Sequence, residues 1–367
     1  MLSPSIYMSP TKYPDMIFAP RDLSISLADH LIDRGHEVYF FTAPDVKTKA
    51  HLMPGDQDLL EKDYVQSMLH GRQSERLQWG YFYTLKQNYE LDMTERCFKF
   101  ARENNMDIIH SYHDRLAHFF DDMTGIPTVY TLHDPLPTDQ TDINYWLLNK
   151  FKNQRYVSIS NAFRKSDILH LNYIDTVYHG INIPKVLPTT QSYIAFMGRL
   201  IAEKGADTAI DVAKAVGISI KLASSQDEAD ISDDGYYKKV LAPRIDPSFV
   251  TFTDFMKGSG KFEYLAGARC LLFPIQWEEP FGMVMIEAMA CGTPVIAYNR
   301  GSVSEIVQDG ITGFVVEPEK GVAGLVEAIK KIDQIDRAAC RKHVEEKFTV
   351  EKMVEGYEKV YEKILSQ

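Results

Sequence analysis

The chain has 367 residues, 45% of them hydrophobic and 25% charged, with a formal net charge of -11. That length exceeds one ordinary core and predicts two or three domains. The composition excludes extensive disorder, and the acidic excess argues against nucleic acid as the main partner.

No cluster of Lys and Arg stands out, so any membrane contact would be weak and peripheral. Cys97, Cys270, Cys291 and Cys340 lie far apart with no C-x-x-C pair, a pattern of buried thiols in a reducing compartment. Pro4, Pro10 and Pro14 interrupt the N-terminus before any signal-like apolar stretch can form. No apolar run reaches the roughly 18 residues that a membrane helix needs. A cytoplasmic location is the expectation.

In chain order, "MLSPSI" reads as a first strand, followed by an irregular loop to Pro20 and a helix from about Asp22 that stops at Gly35. "HEVYFFT" is the next strand. Strand-like runs recur at 107–112 (DIIHSY), 127–133 (PTVYTLH), 156–160 (YVSIS) and 175–180 (DTVYHG). Apolar, β-branched runs alternating with helices predict crossover units and a buried parallel sheet. Residues 54–105 are polar and aromatic-rich, helical from about residue 74, and carry no assignable chemistry. Within them the apolar stretch 79–83 suits either core packing or a cover for a lipid acceptor, and core is the preferred reading.

Residues 183–192 (IPKVLPTTQS), with two prolines and no periodicity, are the best linker candidate. The alternation then restarts with "YIAFMG", "SIKLAS", "VTFTDF", "CLLFPI", "PVIAY" and "GFVV". The fold class is therefore α/β, with two Rossmann-like domains, 1–186 and 187–348, and a ligand cleft between them. Residues 349–367 hold an amphipathic helix expected to pack back on the N-terminal domain.

Two stretches carry chemistry. In "FMGRLIAEKG" Gly198 ends a strand, and Arg199 and Lys204 follow five positions apart. A guanidinium fork and an ammonium point charge suit a diphosphate, although two solvated cations beside a turn would give the same pattern. In "PIQWEEPFGMVMIEAMACGTPVIA" Pro280 and Gly292 bracket a helix. The free amides of Gly282, Met283 and Val284 would form an anion site reinforced by the helix dipole. Glu279 precedes that helix and Glu287 lies within it, eight positions on. A carboxylate in so apolar a segment needs a partner, which a ribose diol supplies for Glu287 and a sugar hydroxyl for Glu279. Glu278 and Glu305 read as solvated.

With these residues in view the sequence resembles the family-4 retaining glycosyltransferases of the GT-B fold. "GRLIAEKG", the E-x7-E segment and "GSVSEIVQDGITGFVV" carry the match, and "VYTLHD", "VSISNAFR" and "VYHGINI" extend it more loosely. The resemblance implies that Arg199, Lys204 and the amides around Phe281, Gly282, Met283 and Val284 bind the donor diphosphate. Glu287 would hold the ribose, Glu279 the transferred sugar, and loop 255–261, with Lys261, would border the base. His133 would face the sugar. It also implies a UDP- or GDP-sugar as co-substrate, no metal or other cofactor, and retention by front-face attack. The acceptor would be a saccharide, a lipid-linked sugar or a small molecule.

The chain departs from the family at residues 7–21, which contain no glycine, so that Arg21 or Lys12 would have to replace a backbone phosphate contact. Asn182 stands where aspartate is more usual. A phosphorylase or epimerase on the same fold, and a sugar-nucleotide binder without catalysis, are the rival functions. A nicotinamide dehydrogenase is disfavoured for want of G-x-G-x-x-G. His110 and His113 have the spacing of a metal pair but read as strand-end residues. His179 reads as structural, and the "DQD" at 56–58 as solvated.

Overall fold

The computed structural model describes residues 1–14, 18–61, 76–112, 115–186, 189, 192–224, 235–253 and 259–367. His113, most of loop 255–261 and the start of the long helix expected near residue 74 lie outside the described residues. The chain forms two compact units. One comprises Met1–Ile159, Ser166–Val177 and Met353–Gln367; the other comprises Ser160–Lys165 and Tyr178–Lys352. The chain thus passes into the second unit just before the proline-rich stretch.

In the first unit β1 (Tyr39–Thr42) and β2 (His51–Pro54) form a parallel pair. The strands β3 (Ile109–Ser111), β4 (Thr128–Thr131), β5 (Arg155–Ser158) and β6 (Tyr173–Thr176) form a parallel sheet in that order. All four residues of β4 are buried, as a central parallel strand covered on both faces requires. The expected first strand shrinks to Leu2, which bridges Phe41 on one side and Ser111 on the other. It ends there because Pro4 has no amide to donate and Ser5 caps a 3-10 turn over Ile6–Met8. The helices are α1 (Ala19–Asp33), α2 (Gln57–Leu60), α3 (Arg76–Glu103) and α4 (Ile143–Lys150). α1 begins earlier than the sequence suggests because Pro20 sits in its first turn, where a missing amide costs nothing. Tyr83 on α3 is 55% exposed, against the core reading for 79–83, and the side chains of residues 79–82 lie outside the described residues.

The second unit is a six-stranded parallel sheet in the order β12-β11-β10-β7-β8-β9. Its strands are β7 (Tyr193–Met197), β8 (Ile220–Ala223), β9 (Val250–Thr253), β10 (Ala268–Phe273), β11 (Val295–Tyr298) and β12 (Gly313–Val316). The intervening helices are α5 (Ala206–Val216), α6 (Ser259–Ala266), α7 (Met283–Ala290), α8 (Val303–Ile306), α9 (Gly321–Lys330) and α10 (Arg337–Lys347).

The last helix, α11 (Val350–Leu365), returns the chain to the first unit. Its Tyr361 hydroxyl lies 2.7 Å from His110 Nδ1, and its Tyr357 hydroxyl lies 3.1 Å from Thr131 Oγ1, which in turn is 2.9 Å from His110 Nε2. Both ring nitrogens of His110 are thereby satisfied within the protein, which leaves it no lone pair for a metal. Arg34 and His36 converge on Glu358 of the same helix, at 2.6 and 2.9 Å.

Burial holds the His110 imidazole well below its usual range, and it pulls His133 down to about 4. The unfolded chain, with histidines near 6.5, therefore binds more protons than the native state as pH falls. Stability should decline from about pH 6.5 towards pH 4. Thermal melts across that window test this, and His133→Asn should flatten the dependence.

Candidate active site

In the second sheet β7 and β10 are neighbours although three strands apart in the chain, and from them the order runs outward in opposite directions. Loops leaving the carboxyl ends of strands at such a reversal diverge and leave a crevice. The loop after β7 carries Arg199 and Lys204; the loop after β10 carries Trp277, Glu278 and Glu279. Gln276 N–H donates to the Glu203 carbonyl at 2.8 Å, tying the two loops together.

Lys204 Nζ and Trp277 Nε1 both donate to the same oxygen of Glu279, Oε2, each at 2.8 Å. The ammonium also lies 4.5 Å from the centroid of the Trp277 ring, within cation–π range. Glu279 is only 8% exposed. Its other oxygen, Oε1, receives no donor among the described residues. Arg199 is exposed and has no carboxylate partner among the described residues. Sequence reasoning missed Trp277; the signal was its position two residues before Glu279 in "QWEEP".

The backbone between Glu279 and α7 is fixed from outside. Three successive carbonyls are satisfied: Glu279 by Ser302 N–H at 2.9 Å, Pro280 by Ser160 Oγ at 2.7 Å, and Phe281 by Ser302 Oγ at 2.8 Å. Gly301 must be glycine for this approach, because a Cβ there would stand 2.5 Å from the Glu279 nitrogen. Gly282 precedes α7 with φ +80°, a conformation that side-chain-bearing residues rarely adopt. No side chain caps this helix, so its first amides and the positive end of its dipole stay available to an anion. These are the amides of Met283 and Val284 together with that of Gly282.

One turn into α7, Glu287 Oε1 accepts a hydrogen bond from Lys261 Nζ of α6 at 2.7 Å. The two side chains are 12% and 20% exposed. Phe281 itself is 2% exposed and packs on His179 at 4.8 Å, so any part it plays in binding is through its backbone. His133 lies in the first unit, stacked on Tyr112 at 5.2 Å.

Of the two glutamates read as solvated, Glu305 turns out to be structural, whereas Glu278 is exposed as read and also holds one backbone amide. Glu305 accepts from the Asn161 and Ala162 amides at 2.8 and 2.6 Å and from the Tyr178 hydroxyl at 2.8 Å. Glu278 accepts from Gly301 N–H at 2.6 Å. Neither partner set is visible from local sequence, since each lies more than twenty positions away. Asp56 of the "DQD" caps α2 by accepting from Leu59 N–H at 2.8 Å. All four cysteines are free and buried, and burial raises each thiol, Cys97 to about 11 and the others to about 12. No group of three potential metal ligands occurs among the described residues. A cavity of about 510 Å³ lined by Lys185, Cys291, Arg337 and Arg341 sits at the opposite end of α7 and takes no part in this cluster.

Comparison with known proteins places these residues in context. Residues 24–184 match the family model for Glycosyltransferase Family 4, and residues 181–347 match that for Glycosyl transferases group 1. The chain belongs to glycosyltransferase family 4. Within it, an uncharacterised glycosyltransferase of Methanocaldococcus jannaschii is 32% identical over 205 residues, which are 51% of this chain and 53% of that protein. This chain therefore spans about half the length of that relative. The N-acetyl-alpha-D-glucosaminyl L-malate synthase of Bacillus anthracis is 24% identical over 375 residues, covering 92% of both chains. Among solved structures, the sucrose-phosphate synthase of Thermosynechococcus elongatus aligns with a TM-score of 0.71 at 18% identity, over 95% of this chain and 94% of that one. HepE of Anabaena, solved in complex with UDP-glucose, aligns with a TM-score of 0.67 at 17% identity, over 100% and 98%. The shared architecture is the GT-B fold.

Among the described residues no helix is long and apolar enough to cross a membrane.

Proposed function

We propose that this protein moves a hexosyl group from a nucleotide-diphosphate sugar to an acceptor, with retention of anomeric configuration and without a metal ion. The observation that carries this is the arrangement at the uncapped N-terminus of α7. A buried carboxylate for the sugar and an ammonium for the diphosphate meet there, in hydrogen-bond contact, at the reversal point of the sheet.

In this reading the diphosphate lies on the amides of Gly282, Met283 and Val284, with Lys204 and Arg199 beside it. Glu287 takes the ribose through the oxygen that Lys261 leaves unused. As the bond from sugar to diphosphate breaks, negative charge builds on the leaving group, and cations beside it lower the barrier. Lys204 waits at the site paired with Glu279 and has only to shift from that carboxylate to the phosphates, whereas the exposed Arg199 closes on them as they bind. A donor phosphate oxygen accepts the proton of the attacking hydroxyl on the same face, which preserves configuration. We assign His133 to the sugar's other side on the family resemblance alone. A UDP-sugar is the first donor to test, because the HepE structure holds UDP-glucose. Four buried, unpaired thiols fit a reducing compartment, and on that ground we place the reaction in the cytoplasm.

A thermal-shift titration with UDP, GDP, ADP and dTDP, each with and without Mg²⁺, tests the reading. One nucleotide should raise the melting temperature equally well in both conditions. A shift that needs Mg²⁺ would overturn the metal-free mechanism, and no shift with any nucleotide would overturn the donor site. Measurable sugar transfer would then separate an enzyme from a mere binder, and conversion of donor without acceptor would point to an epimerase.

A further inference from the structure

We propose that Trp277 is the positioning residue that keeps the Glu279 carboxylate in place while Lys204 is drawn to the donor's phosphates. The inference rests on the donor-site reading given above.

In the resting site Lys204 and Trp277 both donate to Glu279 Oε2, each at 2.8 Å. Two donors on one oxygen fix the plane of the carboxylate and leave Oε1 facing no donor among the described residues. That is the oxygen available to a sugar hydroxyl. Lys204 cannot do this alone once donor binds, because a diphosphate competes for the same ammonium. Glu279, at 8% exposure, would then be a nearly buried carboxylate with one anchor lost, and such groups move or protonate when left unpaired.

The indole is suited to the remaining task. Its N–H is a donor only and carries no charge. It therefore cannot be pulled towards the phosphates, as Arg or Lys would be, and it does not neutralise the carboxylate. Its ring face at the same time lies 4.5 Å from Lys204 Nζ, so the residue that holds Glu279 also offers the lysine a surface along which to move. With only a single residue between them, Trp277 and Glu279 stay together whatever the loop does.

The first test needs no turnover. The chain has three tryptophans, so indole N–H signals can be resolved by NMR and Trp277 assigned from the Trp277→Phe variant. Glu279→Gln should shift that signal, and adding UDP to the parent should leave it hydrogen-bonded. An unmoved signal in Glu279→Gln, or its collapse on UDP binding, overturns the proposal while leaving the donor site intact.

The second test uses kinetics. Trp277→Phe should bind UDP within about 3-fold of the parent but lose about 10- to 100-fold in kcat, a modest loss for a misplaced group at the reacting centre. Trp277→His, which restores a ring N–H, should recover part of that loss. Parental kcat in Trp277→Phe, or a His variant no better than Phe, would overturn it. A parent that binds no nucleotide would instead defeat the donor-site reading, and this one with it.

Discussion

Lys204→Ala is expected to lower kcat by about 10²- to 10³-fold at saturating donor, the range seen when one preorganised charge-stabilising group is removed. The side chain is 16% exposed and makes its ion pair at 2.8 Å with a glutamate that is itself buried. In so enclosed a site the ammonium acts on the leaving diphosphate with little screening from water. The substitution also leaves the Glu279 carboxylate with no cation beside it among the described residues, only the uncharged Trp277 N–H, and breaking a buried pair from one side costs about 3–5 kcal/mol of stability. Melting curves therefore have to accompany the kinetics. Pairing the substitution with Glu279→Gln separates the two effects. The double variant should regain stability, since no carboxylate is left uncompensated, yet should stay at least as slow as Lys204→Ala, because it also loses the carboxylate assigned to the sugar. Turnover that recovers with stability would mean Lys204 serves the fold and not the diphosphate. Lys204→Arg is not expected to rescue fully, because a planar fork cannot reproduce a compact charge at this position.

The architecture was legible in the sequence because its signals are local. Buried parallel strands announce themselves as continuous apolar runs, and the segments 194–197, 271–273 and 295–298 are such runs. Glu279, Glu287 and Lys204 stood out for the converse reason, being charges set among glycine, proline and apolar residues. What sequence could not show was pairing at a distance. Lys204 meets Glu279 across 75 positions, and Glu305 meets Asn161 across 144. Such contacts depend on which strands become neighbours, and no local pattern encodes that. Glu305 was misread on this account: an exposed-looking glutamate on a short helix in fact closes the amides of a distant turn. The missing first strand has a different cause. "MLSPSI" has strand composition, but Pro4 removes a ladder donor and Ser5 caps a turn, so one residue of pairing is all that survives.

Glu287→Ala should weaken UDP binding by about 10- to 100-fold, the loss expected when hydrogen bonds to a charged group, worth about 1.5–3 kcal/mol, disappear. It should leave kcat at saturating donor much less affected than Lys204→Ala does. The structure supplies the reason. Glu287 sits in the second turn of α7 with one oxygen held by Lys261 at 2.7 Å and the other facing no donor among the described residues. A ribose diol can donate to that second oxygen only if the carboxylate is already held, which makes Lys261 the orienting group and Glu287 the contact. Inorganic pyrophosphate provides a control, because it has no ribose, and its affinity should be the same in parent and variant. 2′-Deoxy-UDP provides the converse. Losing the hydroxyl should weaken binding to the parent but have little further effect on Glu287→Ala, since the two changes remove the same hydrogen bond. If the deoxy nucleotide and the alanine variant weaken binding additively, the carboxylate and the 2′-hydroxyl are not partners. Glu287 would then be a helix residue held by Lys261 for the sake of the α6–α7 contact alone.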